Sequence, residues 1–141
     1  MVDPLGLAIW KMRYGLESVA YKEVRKQLIL LYRAKRSQFE TQGVVEAIVD
    51  NCLHEFMADN CRVCKGATEV LFGELKMTCP ECGGLGKHRY SDKERAIFMK
   101  MAQERVKHGT RISTNIHWLL NVINTLDVKV NFQMANQLER K

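Results

Sequence analysis

Residues 61–86 read CRVCKGATEVLFGELKMTCPECGGLG, and the architecture turns on them. They carry two C-x-x-C pairs, Cys61 with Cys64 and Cys79 with Cys82. Each such turn places two thiolates on one ion at about 2.3 Å, and two turns complete the tetrahedron of a structural zinc site. The segment from Lys65 to Thr78 is long enough to return the second pair to the first. Within it, Thr68 to Phe72 and Leu75 to Thr78 flank Gly73-Glu74, which predicts a small β-hairpin turning at the glycine. Gly66, Gly83, Gly84 and Gly86 stand where tight metal knuckles need positive φ. A redox C-x-x-C belongs beside a βαβ pattern, which is not found, and a disulfide framework needs an oxidising compartment. Four thiolates leave no position open for water, so the one zinc ion is expected to build structure and not to catalyse.

The chain has 141 residues, 46% of them hydrophobic, which fits a single domain and argues against disorder. We divide residues 1–141 into a helical part (1–60), a zinc-binding loop (61–90) and a second helical part (91–141). Asp3 and Pro4 stand where a signal peptide carries its basic start, and no apolar run approaches the roughly 18 residues of a spanning helix. The expectation is a cytoplasmic protein with no membrane partner. Cys52 lies outside the pairs on an apolar helical seam and reads as a buried free thiol. No nucleophile with a matching His and carboxylate emerges, and His54 beside the same seam reads as structural. The expected protein is not an enzyme.

The net charge of +6 is unevenly spread. Residues 22–36 hold six basic residues against Glu23, residues 40–59 hold five acids and no Lys or Arg, and residues 87–111 hold eight basic residues against three acids. Phosphate neutralisation dominates nucleic-acid affinity, so the last stretch is a candidate DNA-facing surface, with a solvated helix face as the equal alternative. The first reads as a solvated helix face. The acidic run is a candidate protein-contact surface, with a solvated face as the plainer alternative.

Helical periodicity dominates outside the zinc loop. Pro4 to Tyr14 reads as a short helix, broken at Gly15, and Ser18 to Arg36 as an amphipathic helix with Tyr21, Val24, Leu28, Leu31 and Tyr32 on one face. Val44, Val45, Ile48, Val49, Cys52, Phe56 and Met57 repeat at helical spacing and run into the metal site. Ser91-Asp92-Lys93-Glu94 is a capping box opening a helix from about Asp92 to Lys107, with Ala96, Ile97, Met101 and Ala102 inward and Arg95, Lys100, Arg105 and Lys107 toward solvent. After the turn at His108-Gly109-Thr110, a helix from about Ser113 to Leu126 buries Ile116, Leu119, Leu120 and Ile123. Ser113 is its candidate N-cap, and Trp118 reads as core packing. Two helices joined by a short glycine-bearing turn resemble a helix-turn-helix, a pattern that αα-hairpins of ordinary helical bundles share. Candidate DNA contacts are Lys87, Arg89, Arg105, Lys107, Arg111, Thr114, Asn115 and His117, with Arg111 suited to guanine or phosphate and Asn115 to adenine. In the tail, Val128, Val130, Phe132 and Met134 alternate like a strand, while Val128, Phe132, Ala135 and Leu138 fit a final helix, which we favour.

The fold class expected is mostly α: a helical domain with an inserted zinc-binding β-hairpin carrying the four cysteines, and a helix-turn-helix-like C-terminal part. The order of helical region, Cys61-Arg-Val-Cys64-Lys-Gly66, hairpin, Cys79-Pro-Glu-Cys82-Gly-Gly84-Leu-Gly86, basic segment and Trp-bearing helix resembles the zinc-containing Q antitermination proteins of lambdoid bacteriophages and prophages. The likeness runs from about Leu5 onward and includes Gly6-Leu7-Ala8 and the helix around Leu28 to Ala34. It departs at Gly66-Ala67-Thr68, where the family tends to a second glycine. The resemblance implies Cys61, Cys64, Cys79 and Cys82 as zinc ligands. It also implies binding to double-stranded DNA overlapping a phage late promoter, with room for more than one copy. The further partner is bacterial RNA polymerase holoenzyme, including sigma factor, held at a promoter-proximal pause and made to ignore downstream terminators. The alternatives are a zinc-bearing DNA-binding repressor or activator, and more distantly a chaperone adaptor like the DnaJ cysteine-rich module, which has four such repeats and two metals.

Overall fold

The computed structural model describes residues 3–15, 18–36, 40–58 and 60–139. Asp59, at the end of the acidic run, and the side chain of Leu138 lie outside the described residues. Helix α1 (Pro4–Gly15) opens on Asp3, whose Oδ1 accepts from the amides of Leu5 and Gly6 at 2.8 and 3.2 Å. Pro4 suits the first turn, where an N–H has no intrahelical partner. Helix α2 (Ser18–Lys35) buries Val24, Leu28 and Tyr32 completely, but Tyr21 is exposed and Leu31 half-buried. Helix α3 (Gln42–Phe56) buries Val45, Ile48, Val49, Cys52, Leu53 and Phe56. Each such aliphatic side chain stabilises the fold by about 1.5–3 kcal/mol. The Cys52 thiol is free and buried, as expected, and burial pushes its pKa well up.

The chain then leaves the helical layer for a two-stranded antiparallel hairpin, β1 (Glu69–Phe72) and β2 (Leu75–Thr78), in register Glu69 with Thr78 and Phe72 with Leu75. It returns as α4 (Asp92–Met99), α5 (Gln103–Val106) and α6 (Arg111–Glu139). Helix α6 is the central strut: it packs against α1, α3 and α5 and sends Ile112, Ile116, Leu119 and Ile123 into the same core as α2 and α3. Gly6 makes the α1 crossing possible, because a Cβ there would sit 2.6 Å from Val130 Cγ2. Among the described residues no helix is long and apolar enough to cross a membrane.

Several expectations for the C-terminal third need correction. The capping box at Ser91 is present, with both of its reciprocal bonds. The helix it opens, however, stops at Met99 and does not run to Lys107. Lys100 turns left-handed at φ 57°, and the amides of Met101 and Lys100 donate back to Ala96 O and Ile97 O, a Schellman ending built without glycine. Ile97 is consequently 69% exposed, Ala102 is exposed as well, and Arg95 is buried. The second helix starts at Arg111 and absorbs the tail, so the expected final helix is the continuation of α6. Its cap is Thr110, whose Oγ1 accepts from the Ser113 amide at 3.2 Å. Ser113 itself is buried.

The acidic run is not a free surface. Asp50 accepts from Arg25 Nε at 2.7 Å and from Nη2 at 3.2 Å, and Glu46 Oε1 lies 3.8 Å from the same Nη2. Glu40 accepts from Tyr32 Oη at 2.6 Å and faces Arg111 Nε at 3.3 Å. Glu55 takes a two-pronged bond from Arg95, Nε to Oε2 and Nη2 to Oε1 both at 2.8 Å, with Asn51 Nδ2 donating to Oε2 at 2.6 Å. Removing one partner of a buried pair strands the other charge at a cost of about 3–5 kcal/mol. Arg95→Met should therefore destabilise the protein by that amount. Glu55→Leu combined with Arg95→Met should recover most of the loss, as read from urea midpoints.

Candidate metal centre

The four cysteine sulfurs converge. All lie within 4.8 Å of one another and all four residues are buried. Cys61 Sγ is 3.9 Å from Cys79 Sγ, and Cys64 Sγ is 3.7 Å from Cys82 Sγ. Sulfurs at about 2.3 Å from a tetrahedral ion stand about 3.8 Å apart, so the pairs have the spacing of a metal cage. Disulfides, with sulfurs at about 2.05 Å, are a different geometry, and all four thiols are free. The donor set therefore fits a metal ion, with Cys61, Cys64, Cys79 and Cys82 as its holders.

Two equivalent knuckles build the cage, related by an offset of 18 residues. In the first, the amides of Lys65 and Ala67 donate to Cys61 O and Cys64 O at 2.8 and 3.0 Å; in the second, those of Gly83 and Leu85 donate to Cys79 O and Cys82 O at 2.9 and 3.2 Å. The backbone angles match as well: φ is 54° and 91° at Lys65 and Gly66, and 64° and 90° at Gly83 and Gly84. The knuckles then exchange bonds. Cys61 N donates to Gly86 O at 2.9 Å, and Cys79 N donates to Thr68 O at 2.8 Å. The hairpin between them turns at Gly73, φ 66°, with Glu74 at negative φ, as a type II′ turn requires.

Thr68 and Gly86 are the equivalent fourth positions after each pair, and both are left-handed, at φ 68° and 80°. At Gly86 glycine is favoured by the positive φ and by crowding, since a Cβ would lie 3.3 Å from Thr68 Cγ2 and 3.4 Å from Gly66 O. The departure at Thr68 thus leaves the knuckle's shape intact, but a β-branched residue is held in a conformation that costs roughly 1–2 kcal/mol. Backbone amides also tune the thiols. Burial works to raise Cys82, yet the amides of Gly86 and Gly84 outweigh it and hold this thiol at about 6; Gly86 N lies 3.3 Å from Sγ. Cys79 is raised: amides of Cys82 and Glu81 lower it, but burial and the neighbouring thiols prevail.

Lys87 fastens the module to the helices. Its Nζ donates to Phe56 O at 2.9 Å, in the last turn of α3, and lies 4.6 Å from the Phe56 ring centroid. Burial and the nearby Arg13 lower its pKa. An isolated bridge between Asn60 and Lys87 closes the neck. The charge pattern puts Lys87 on DNA; in the fold it is a tether. Asn115 needs the same correction. It is buried and Nδ2 donates to Tyr32 Oη at 2.9 Å, so it does not face a base. Arg89, Arg105, Lys107, Arg111, Thr114 and His117 are exposed. Arg89 Nη2 reaches Pro80 O at 3.5 Å. Partial burial and Arg95, whose Nη1 lies 3.4 Å from Nε2, lower the His117 pKa and favour its neutral ring. Trp118 is half-buried, edge-on to Tyr32 with Arg36 over its ring, consistent with a packing role. Sequence reasoning misses the Glu55–Arg95 pair and Arg62, which shares a cavity with Arg89. The only sequence signal for the former is an arginine four residues past a cap.

No protein-family model and no curated protein matches this chain.

Two outcomes follow from this geometry. At pH 7.5, metal uptake by the metal-free protein should release fewer than four protons, because Cys82 is already a thiolate while the raised Cys79 must give its proton up. The released fraction should grow as pH falls toward 6, which calorimetry in buffers of different ionisation enthalpy measures. Thr68→Gly should relieve the left-handed strain and stabilise the metal-bound protein by on the order of 1 kcal/mol, read from thermal unfolding.

Proposed function

We propose that this protein is a DNA-binding transcription antiterminator of the zinc-containing Q type, held together by one zinc ion on Cys61, Cys64, Cys79 and Cys82. The thiolate set favours zinc among common ions, and four protein ligands make the ion structural. It supplies folding energy by tying two knuckles that have little apolar core of their own.

The observation that carries the DNA reading is the exposed basic corner after the metal module. Arg105 on α5, Lys107 in the turn, and Arg111 with Thr114 at the start of α6 all lie open to solvent. We read α4, α5 and the first turns of α6 as the helix-turn-helix-like part, with the α6 N-terminus turned to the duplex. In this reading the arginines and Lys107 neutralise phosphates, Thr114 reaches a base edge, and His117 acts as a neutral hydrogen-bonding group. Arg111 Nε also lies 3.3 Å from Glu40 Oε1 while its side chain stays largely exposed. The activity is then a binding event that alters the processivity of bacterial RNA polymerase paused with sigma near a late promoter.

Transcription in vitro from a late-promoter template with a downstream terminator tests this. Readthrough that depends on the protein is the expected result; DNA binding without readthrough would mark a plain repressor or activator instead. Neutralising Arg105, Lys107 and Arg111 together should weaken binding to all duplex sequences and reduce the salt slope by about 1 per lost phosphate contact. An unchanged slope would remove this corner from the interface.

A further inference from the structure

Beside the metal module, a polar cavity of about 270 Å3 runs into a row of aromatic rings. Arg62, Arg89, His88, Tyr90 and Glu81 line it together with Asn60 and the metal-site residues Cys61 and Cys82. Arg62 and Arg89 are both exposed. His88 is held by Glu94 at 2.7 Å, and Glu81 offsets one charge, so the two arginines supply the local positive excess. Tyr90 belongs to both features. Its ring centroid is 4.6 Å from that of His88 and 5.4 Å from that of His54, both edge-on, and His54 stacks on Phe98 at 4.5 Å with planes 13° apart. His54 is exposed, Phe98 is 41% exposed, and Ile97 beside it is bare.

Scattered exposed apolar residues carry no message, but contiguous rings next to paired arginines do. The cavity is smaller than the roughly 300–1,000 Å3 of a small-molecule pocket, so it suits a piece of a longer chain. Phosphates match the arginines, and π-faces of unpaired bases match the rings; a duplex keeps those faces inside its stack. We propose that this surface binds a single nucleic-acid strand, with phosphates on Arg62 and Arg89 and bases against Tyr90, His54 and Phe98. It is built from residues other than the basic corner assigned to duplex DNA, so either site can fail without the other.

The test uses the full-length, zinc-loaded protein and fluorescent oligothymidylate and oligouridylate of about twelve nucleotides, within the site sizes of strand-binding proteins. Anisotropy should show binding that Phe98→Ala weakens about tenfold, that Phe98→Trp preserves, and that Arg62→Gln with Arg89→Gln weakens with a shallower salt slope. Lys26→Gln with Lys129→Gln removes the same charge elsewhere and should change little. Metal content and thermal unfolding establish that each variant is folded. Tighter binding of either probe supports the site and identifies the strand as DNA or RNA. Absence of strand binding, indifference to Phe98→Ala in a folded variant, or an equal loss on duplex DNA would overturn the proposal.

Discussion

Four cysteine sulfurs must meet at one point, and the path of the chain around them follows from that requirement. Between Cys61 and Gly86 there is almost nothing else to fold around: Val70 alone packs against the cysteines, while Leu71, Phe72 and Leu75 stand in solvent. An isolated hairpin of four-residue strands is marginal in water. Here it is a spacer that sets where the second knuckle arrives. The exchanged backbone bonds, Cys61 to Gly86 and Cys79 to Thr68, orient both sulfur pairs toward one point. The cage also has a fixed relation to the helices, since Lys87 leaves it and closes on the carbonyl end of α3.

That tether explains how a module without a core can transmit order. Phe56 is at once the end of α3, a core residue and the partner of Lys87. The cation sits where the helix exposes unpaired carbonyls and negative dipole. On the other side Arg95, at the second turn of α4, reaches back to Glu55 in the last turn of α3. The chain thus leaves α3 and returns to it, and both junctions are made by charge placed against the same helix end.

Charge is where the linear sequence misleads most. The acidic run and the basic stretches look like separate surfaces, yet Arg25 with Asp50, Arg95 with Glu55 and Arg111 with Glu40 join them across the fold. Among the many cations that stay exposed are Arg105 and Lys107 at the corner where Arg111 also reaches solvent, and Arg62 and Arg89 beside the metal module. The buried Tyr32 hydroxyl, giving its proton to Glu40 and accepting from Asn115, ties α2, the approach to α3 and the first turn of α6 into one unit. Its pKa is pushed above the ordinary phenol range by burial and by the carboxylate, so it stays a donor at any physiological pH.

The cysteine spacing, the hairpin, the Ser91 capping box and the apolar faces of α2 and α3 are legible in the sequence because each is local, encoded by residues within one or two turns of one another. The Lys100 break is not, since neither glycine nor proline marks it; the left-handed residue is stabilised by the packing of Met99 and Val106 into a shared core. Likewise the α6 tail shows both strand and helix periodicity, and only Val130 buried against Gly6 of α1 settles it as helix. Which cations stay free cannot be read from composition, because ion pairs form between residues up to 114 positions apart, as Arg13 does with Asp127. Thiolate geometry and helical period are short-range, so the order of residues suffices for the metal-binding module and the helical class. Which charged side chains face solvent emerges only when the helices pack, because long-range pairing neutralises some and leaves the rest exposed.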